Sequence, residues 1–209
     1  MRILEEREED LLRQQIVNNK NIAGVDEVGR GALFGPVFAG AVVINKQAEE
    51  KLVIAGLRDS KKLSQKHRAK LVPIIQNEAI AWGIGQSSNK EIDSLGIRTA
   101  TENAMIRALN SINLPLEMIL VDGVLPLKNW PGFQKTIIEG ESAFPSIAAA
   151  SVLAKEARDD LIKRFAKRFP GYQLESNVGY GTKMHCKALI KLGPTELHRK
   201  SFLGKILSK

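Results

Sequence analysis

The stretch at residues 22–44, "IAGVDEVGRGALFGPVFAGAVVI", decides the fold. Its first part, "IAGVDEV", is an apolar run that suits a buried strand, and "GPVFAGAVVI" at 35–44 suits a second. A dinucleotide-binding unit would follow its first strand with a glycine turn and a helix. Here Gly35 and Pro36 lead straight into another β-branched run, so the two strands read as an antiparallel hairpin. No G-x-x-x-x-G-K-[ST] occurs, which excludes a P-loop. The first strand delivers two adjacent acids, Asp26 and Glu27, followed by Gly29, Arg30 and Gly31. Acids and a base so close either neutralise one another or meet different parts of one ligand.

Working outward, "LRDSKKLS" at 57–64 ends in Ser64, a cap for a helix reaching about Glu78, and "AIAWGIGQS" at 79–87 reads as a third strand. Ser88 and Glu91 have capping-box spacing and open a long helix over 89–111. "LEMILVDG" at 116–123 and "FQKTIIEG" at 133–140 are strands four and five. A helix over 145–169 carries Ile147, Ala150, Ser151, Ala154, Ala157, Leu161, Phe165 and Phe169 as one stripe. A last helix at 182–192 sets Lys183, Lys187 and Lys191 along one edge and Met184, Ala188, Leu189 and Leu192 along another. Three strands, a helix, two strands and further helices make an α/β layered domain.

At 209 residues and 44% hydrophobic, the chain suits one domain of ordinary size. No apolar run approaches the ~20 residues of a membrane span, and "MRILEEREED" is charged where a secretion signal would be apolar. A cytoplasmic protein without a membrane partner is expected. The single Cys186 excludes an internal disulfide, and with three histidines it cannot furnish a four-ligand zinc site. Cys186 and His185 are helix neighbours that diverge, so a thiol nucleophile is discounted. The net charge of +8 is localised: residues 1–150 hold 18 Lys+Arg and 18 Asp+Glu, and residues 151–209 hold 13 and 5. A basic C-terminal quarter points to a polyanion, most simply nucleic acid, or to a solvated surface.

Asp122 repeats the setting of Asp26, at the end of an apolar strand and just before glycine, and Glu141 ends the fifth strand in the same manner. Such acids are costly to bury unless compensated. Gathered together they would repel and take up protons, and a divalent cation held by oxygen ligands resolves this. Two Mg²⁺ or Mn²⁺ ions ~3.5–4 Å apart serve in-line attack at a phosphodiester. Equally, a strand-end Asp is a common turn or cap residue. Strand neighbours point to opposite faces, so Asp26 and Glu27 share a cluster only if the strand ends or bulges there.

As a set, "GVDEVGRGALFGPV", "LRDSKKLS", "LVDG", "IAAASVLAKEARD", "GYGTKMH" and "GPTELHRKSF" resemble the bacterial type 2 ribonucleases H, the ribonuclease HII family, over residues 22–202. The resemblance implies the ribonuclease H-like fold, a central mixed five-stranded sheet flanked by helices with a C-terminal helical subdomain. It divides the chain into an N-terminal extension (1–20), a catalytic domain (21–169) and a basic helical region (170–209) of the same structural unit. It implies a monomer that hydrolyses the RNA strand of RNA/DNA hybrids and incises 5′ of single ribonucleotides in duplex DNA, leaving 3′-hydroxyl and 5′-phosphate ends. Asp26, Glu27 and Asp122 fall on the family's catalytic, metal-binding acids, Asp26 as the candidate bridging ligand. Glu141 stands where the family usually has Asp in "KGD", and Glu139 replaces a base. Gly29, Arg30 and Gly31 with Tyr180 would read the 2′-hydroxyl and the sugar that follows. Ser60, Lys61, Lys62 and Lys183 would meet phosphates, and Val178 stands where the family usually has lysine. Two rival functions remain: a binding module whose acids are structural, and a hybrid nuclease needing a run of ribonucleotides.

Overall fold

The hairpin forms as expected. In the computed structural model, which describes residues 21–58 and 60–208 and only the backbone of Lys61, β1 (Ile22–Val28) pairs antiparallel with β2 (Val37–Val43), Asp26 opposite Gly40. The expected extension at 1–20 lies outside the described residues. β3 (Ala81–Ser87) adds antiparallel to β2, β4 (Met118–Asp122) adds parallel to the other side of β1, and β5 (Phe133–Ile137) adds parallel to β4. The order β3-β2-β1-β4-β5 is the mixed five-stranded sheet that the resemblance implied, with β1 at its centre.

Helices cover both faces: α1 (Lys46–Ile54), α2 (Gln65–Glu78), α3 (Asn89–Asn110), α4 (Gly140–Ala143), α5 (Pro145–Arg168), α6 (Leu174–Asn177), α7 (Lys183–Leu192) and α8 (Gly204–Leu207). Strand alternation sorts the residues. Ala23, Val25, Val37, Ala39, Ala41 and Val43 bury against α3, while Val42 turns to the face where α5 and α2 pack. Both helices come so near the sheet that side chains are excluded at the crossings. A Cβ on Gly40 would sit 2.2 Å from the Ala150 carbonyl oxygen of α5, and one on Gly85 would sit 2.1 Å from the Ala104 carbonyl oxygen of α3. Ser64 caps α2 and the Ser88–Glu91 capping box opens α3, as the sequence predicts. Among the described residues no helix is long and apolar enough to cross a membrane.

Four expectations need correction. The long helix at 89–111 is broken at Gly96, whose φ of 81° no helix accommodates and which glycine alone adopts without strain. β5 stops at Ile137, and Glu139 turns the chain through a left-handed φ of 55°, so Glu141 lies in the first turn of α4 and not at a strand end. On α5 the expected stripe holds through Ala154, after which Arg158, Asp159, Ile162 and Ala166 are buried while Ala157, Leu161 and Phe165 are half-buried. The apolar edge expected on α7 is likewise misplaced: His185 and Leu189 face inward, and Met184 and Leu192 are exposed. In both helices polar side chains displaced apolar ones from the interior, which hydrophobic spacing cannot anticipate.

Candidate active site

Parallel pairing of β1 with β4, Val25 opposite Val121, sets Asp26 and Asp122 side by side at the carboxyl ends of neighbouring strands. Open α/β sheets bind ligands in the crevice at that end. The turn through Glu139 then brings Glu141 back from α4. Carboxylate oxygens of Asp26, Asp122 and Glu141 all lie within 4.8 Å of one another. Each acid is oriented by a backbone N–H: Glu27 donates to Asp26 Oδ1 at 2.7 Å, Gly140 to Asp122 Oδ1 at 2.8 Å, and Ser60 to Glu141 Oε2 at 2.8 Å. These neutral donors fix geometry without cancelling charge.

The electrostatic cost is visible at Asp26, which is 3% exposed. Burial first, then the charges of Glu27, Asp122 and Glu141, push its carboxyl well above the usual range, against a hydrogen bond from the Ser151 hydroxyl that lowers it. An all-oxygen, partly buried set of three converging carboxylates fits a hard divalent cation such as Mg²⁺ or Mn²⁺.

Glu27 is not one of the three converging acids. As the strand neighbour of Asp26 it turns to the α3 side, where it lines a cavity of about 150 Å³ with Arg30, Arg98, Thr101, Met105 and Asp122. Arg30 Nη1 donates to Glu27 Oε1 at 3.2 Å. Burial raises the Glu27 carboxyl, Arg30 opposes that, and Asp122 adds to it, so Glu27 still shares the field of the cluster. Of the two acids, Glu27 meets the base and Asp26 meets its fellow acids.

The loop after β1 is built differently. Gly29 has a φ of +86°, and a Cβ there would sit 2.1 Å from Arg158 Nε. A Cβ on Gly31, by contrast, would meet nothing within 4 Å. Arg158, fully buried, donates to the carbonyls of Pro36 at 3.2 Å, Val178 at 2.9 Å and Phe34 at 3.2 Å. Arg199, also fully buried, donates to the carbonyls of Gly35 at 2.9 Å and Arg30 at 2.8 Å. Tyr180 reaches the loop through a bridge to Ala32, and its ring lies 5.3 Å from the Arg158 guanidinium and 5.8 Å from Lys155 Nζ. The structure thus brings Gly29, Arg30, Gly31 and Tyr180 together. Sequence reasoning missed Arg158 and Arg199, whose only signal was their place inside the quoted motifs.

Beneath Tyr180, His185 and His198 share a hydrogen bond between their Nε2 atoms at 3.1 Å. His185 Nδ1 faces the Tyr180 carbonyl at 2.9 Å and must donate to it, whereas His198 Nδ1 accepts from the Thr195 N–H at 3.0 Å. One arrangement satisfies all four nitrogens: both rings neutral, with His198 Nε2–H donating to His185. Burial lowers His185, and burial together with His185 lowers His198 to about 4.

Of the expected phosphate contacts, Ser60 is buried and engaged with Glu141 and with Ser151. Lys62 is exposed and lines a cavity of about 430 Å³ with Arg58 and Glu141. Lys183, Lys187 and Lys191 are exposed along α7.

The sequence profile of the family described as ribonuclease HII matches residues 23–205. A ribonuclease HII of Prochlorococcus marinus (strain MIT 9313) is 61% identical over 90% of this chain and 87% of its own length. One of Synechococcus sp. (strain CC9902) is 58% identical over 93% of this chain and 98% of its own. Among solved structures, the ribonuclease H2 from Pyrococcus horikoshii OT3 superposes with a TM-score of 0.75 at 24% identity, covering 90% of this chain and 97% of that one. Bst-RNase HIII in complex with Mn²⁺ gives 0.66 at 18% identity, covering 88% and 64%, and supports the fold alone. A profile that spans nearly the whole described chain, relatives this similar along their full lengths and acids converging at the carboxyl ends of β1 and β4 agree: the chain belongs to the ribonuclease HII family, divalent-metal-dependent ribonuclease H endonucleases.

Proposed function

We propose that this endonuclease cuts the RNA strand of RNA/DNA hybrids and also incises duplex DNA on the 5′ side of a single ribonucleotide, leaving 3′-hydroxyl and 5′-phosphate ends. The observation that carries this reading is the juxtaposition of the acid cluster with a glycine that the protein itself does not need. Gly29 is required by its φ and by Arg158, but a side chain on Gly31 would meet no protein atom. A position kept bare four residues after Glu27 admits a sugar to the backbone, and a 2′-hydroxyl there is what separates RNA from DNA.

Asp26, Asp122 and Glu141 hold Mn²⁺ or Mg²⁺, and Glu27 completes the acid set from the other face of β1. Bound there as a pair, the ions would activate water and offset charge on the leaving 3′-oxygen. The backbone N–H groups of Glu27, Gly140 and Ser60 keep three carboxylates aimed before substrate arrives, so little reorganisation is left for the reaction. Arg30, more than half exposed and paired with Glu27, is placed to exchange that partner for a phosphate. Tyr180 presents a ring to the sugar beyond, backed by Lys155 and Arg158. Lys61, Lys62, Lys183 and the rest of the α7 edge serve the flanking phosphates, and their contribution weakens as salt rises.

The test is a DNA duplex carrying one ribonucleotide, incubated with Mn²⁺ or Mg²⁺ beside all-DNA and hybrid duplexes. We expect nicking 5′ of the ribonucleotide and none in all-DNA. Cleavage of the hybrid alone would contradict the single-ribonucleotide reading.

A further inference from the structure

We propose that Ser60 and Ser151 form a positioning pair that sets the separation of Asp26 and Glu141 and thereby the affinity for the divalent cation, an inference that rests on reading those acids as metal ligands. Both serines are 4% exposed, and their hydroxyl oxygens are 2.9 Å apart. The Ser60 N–H donates to Glu141 Oε2 at 2.8 Å, and Ser151 is near enough to Asp26 to favour its ionised carboxylate. Hydrogen bonds therefore run from Ser151 through Ser60 to Glu141, joining α5, the turn at 60–62 and α4 beside Asp26.

Either hydroxyl can donate in the Ser60–Ser151 bond, and both serines are too buried to meet a phosphate. The turn itself is tied from behind. Arg68 Nη1 donates to the Leu63 carbonyl at 2.8 Å, and Arg68 Nε to Glu156 Oε1 at 2.7 Å, which anchors the turn to α5, the helix that carries Ser151. Glu141 is in this way held at a set place beside Asp26 by a neutral link anchored on α5. A link of this kind around metal ligands carries about a 10- to 100-fold effect on metal affinity.

The experiment titrates MnCl₂ into the whole metal-stripped protein by calorimetry and records the melting temperature of the same metal-free samples, for wild type, Ser151→Ala, Ser60→Ala, the double variant and Asp122→Asn. Ser151→Ala and Ser60→Ala are each expected to weaken Mn²⁺ binding about tenfold. The double variant should be no weaker than Ser151→Ala, because both act through one bond. It should also melt closer to wild type than either single variant, since no buried hydroxyl is left alone. Low Mn²⁺ affinity with recovered melting separates positioning from structural support. If wild type binds Mn²⁺, Asp122→Asn does not, and the double variant binds within about twofold of wild type, the inference is overturned while the ligand reading stands. Equal binding by wild type and Asp122→Asn would overturn both.

Discussion

Two regions meet at the end of β1, and they are stabilised in opposite ways. On one side, three carboxylates crowd together, each accepting from a neutral backbone N–H. On the other, two buried guanidinium groups, Arg158 and Arg199, donate to backbone carbonyls of the loop after β1, and Arg158 also to that of Val178. The loop's carbonyls are met by protein donors, whereas the neighbouring acids make Asp26 costly to ionise. Functional groups tend to sit where local stability is given up, and scaffolds where it is not.

The contrast breaks most sharply under Asp26→Asn. Loss of this ligand should cut activity by more than about 100-fold, beyond what outer partners of metal ligands give. The same change should raise the melting temperature of the metal-free protein at pH 7. Its sign follows from the carboxyl: folded Asp26 binds its proton more tightly than unfolded Asp26, so ionising it near neutral pH costs stability that Asn does not lose. A fall in melting temperature would mean that the cluster is structural.

The second largest effect belongs to the other region. Arg158→Met keeps much of the volume but strands the carbonyls of Phe34, Pro36 and Val178. At about 1–3 kcal/mol for each unsatisfied group, and about 2–4 °C per kcal/mol for a domain of this size, melting should drop by at least about 6 °C. Gly31→Ala divides the two regions differently: melting should not move, since its Cβ meets nothing, whereas cleavage beside a ribonucleotide should fall about 10- to 100-fold through misplacement of the sugar. Unchanged cleavage would remove Gly31 from the substrate site.

The smallest effect is on pH. The His185–His198 pair binds protons less readily in the fold than in the unfolded chain, whose histidines titrate near 6.5. Its contribution is therefore full above that pH and is lost as pH falls toward about 4, the value for His198. Replacing His198 by Gln should flatten the melting curve against pH in that window; an unchanged slope would show that other groups carry it.

Much of this was legible in the sequence because its signals are local. The proline after Gly35 told a hairpin from a nucleotide-binding turn, Ser64 and Ser88 announced their helices, and the shared strand-end setting of Asp26 and Asp122 singled out both acids. What was missed is non-local. Arg158, Asp159 and His185 lie on faces that hydrophobic spacing assigns to apolar residues, because Arg158 meets the carbonyls of Phe34 and Val178, Asp159 meets Lys155 and Arg68, and His185 meets the ring of His198. The left-handed Glu139 that moves Glu141 from a strand to a helix has no sequence signal, glutamate being an unfavourable residue for that conformation. Ser60 looked like a phosphate contact ahead of a helix until its burial showed that it serves the acids.

The central claim is that the repulsion among Asp26, Asp122 and Glu141 is relieved by a divalent cation. It is tested most directly by melting the metal-stripped protein with and without Mn²⁺, since a ligand that binds only the fold raises its stability by about 2.7 kcal/mol at 100 times its dissociation constant. The account predicts a rise of several degrees in wild type that disappears in Asp122→Asn. A melting temperature indifferent to Mn²⁺, or a rise of equal size in Asp122→Asn, would contradict it.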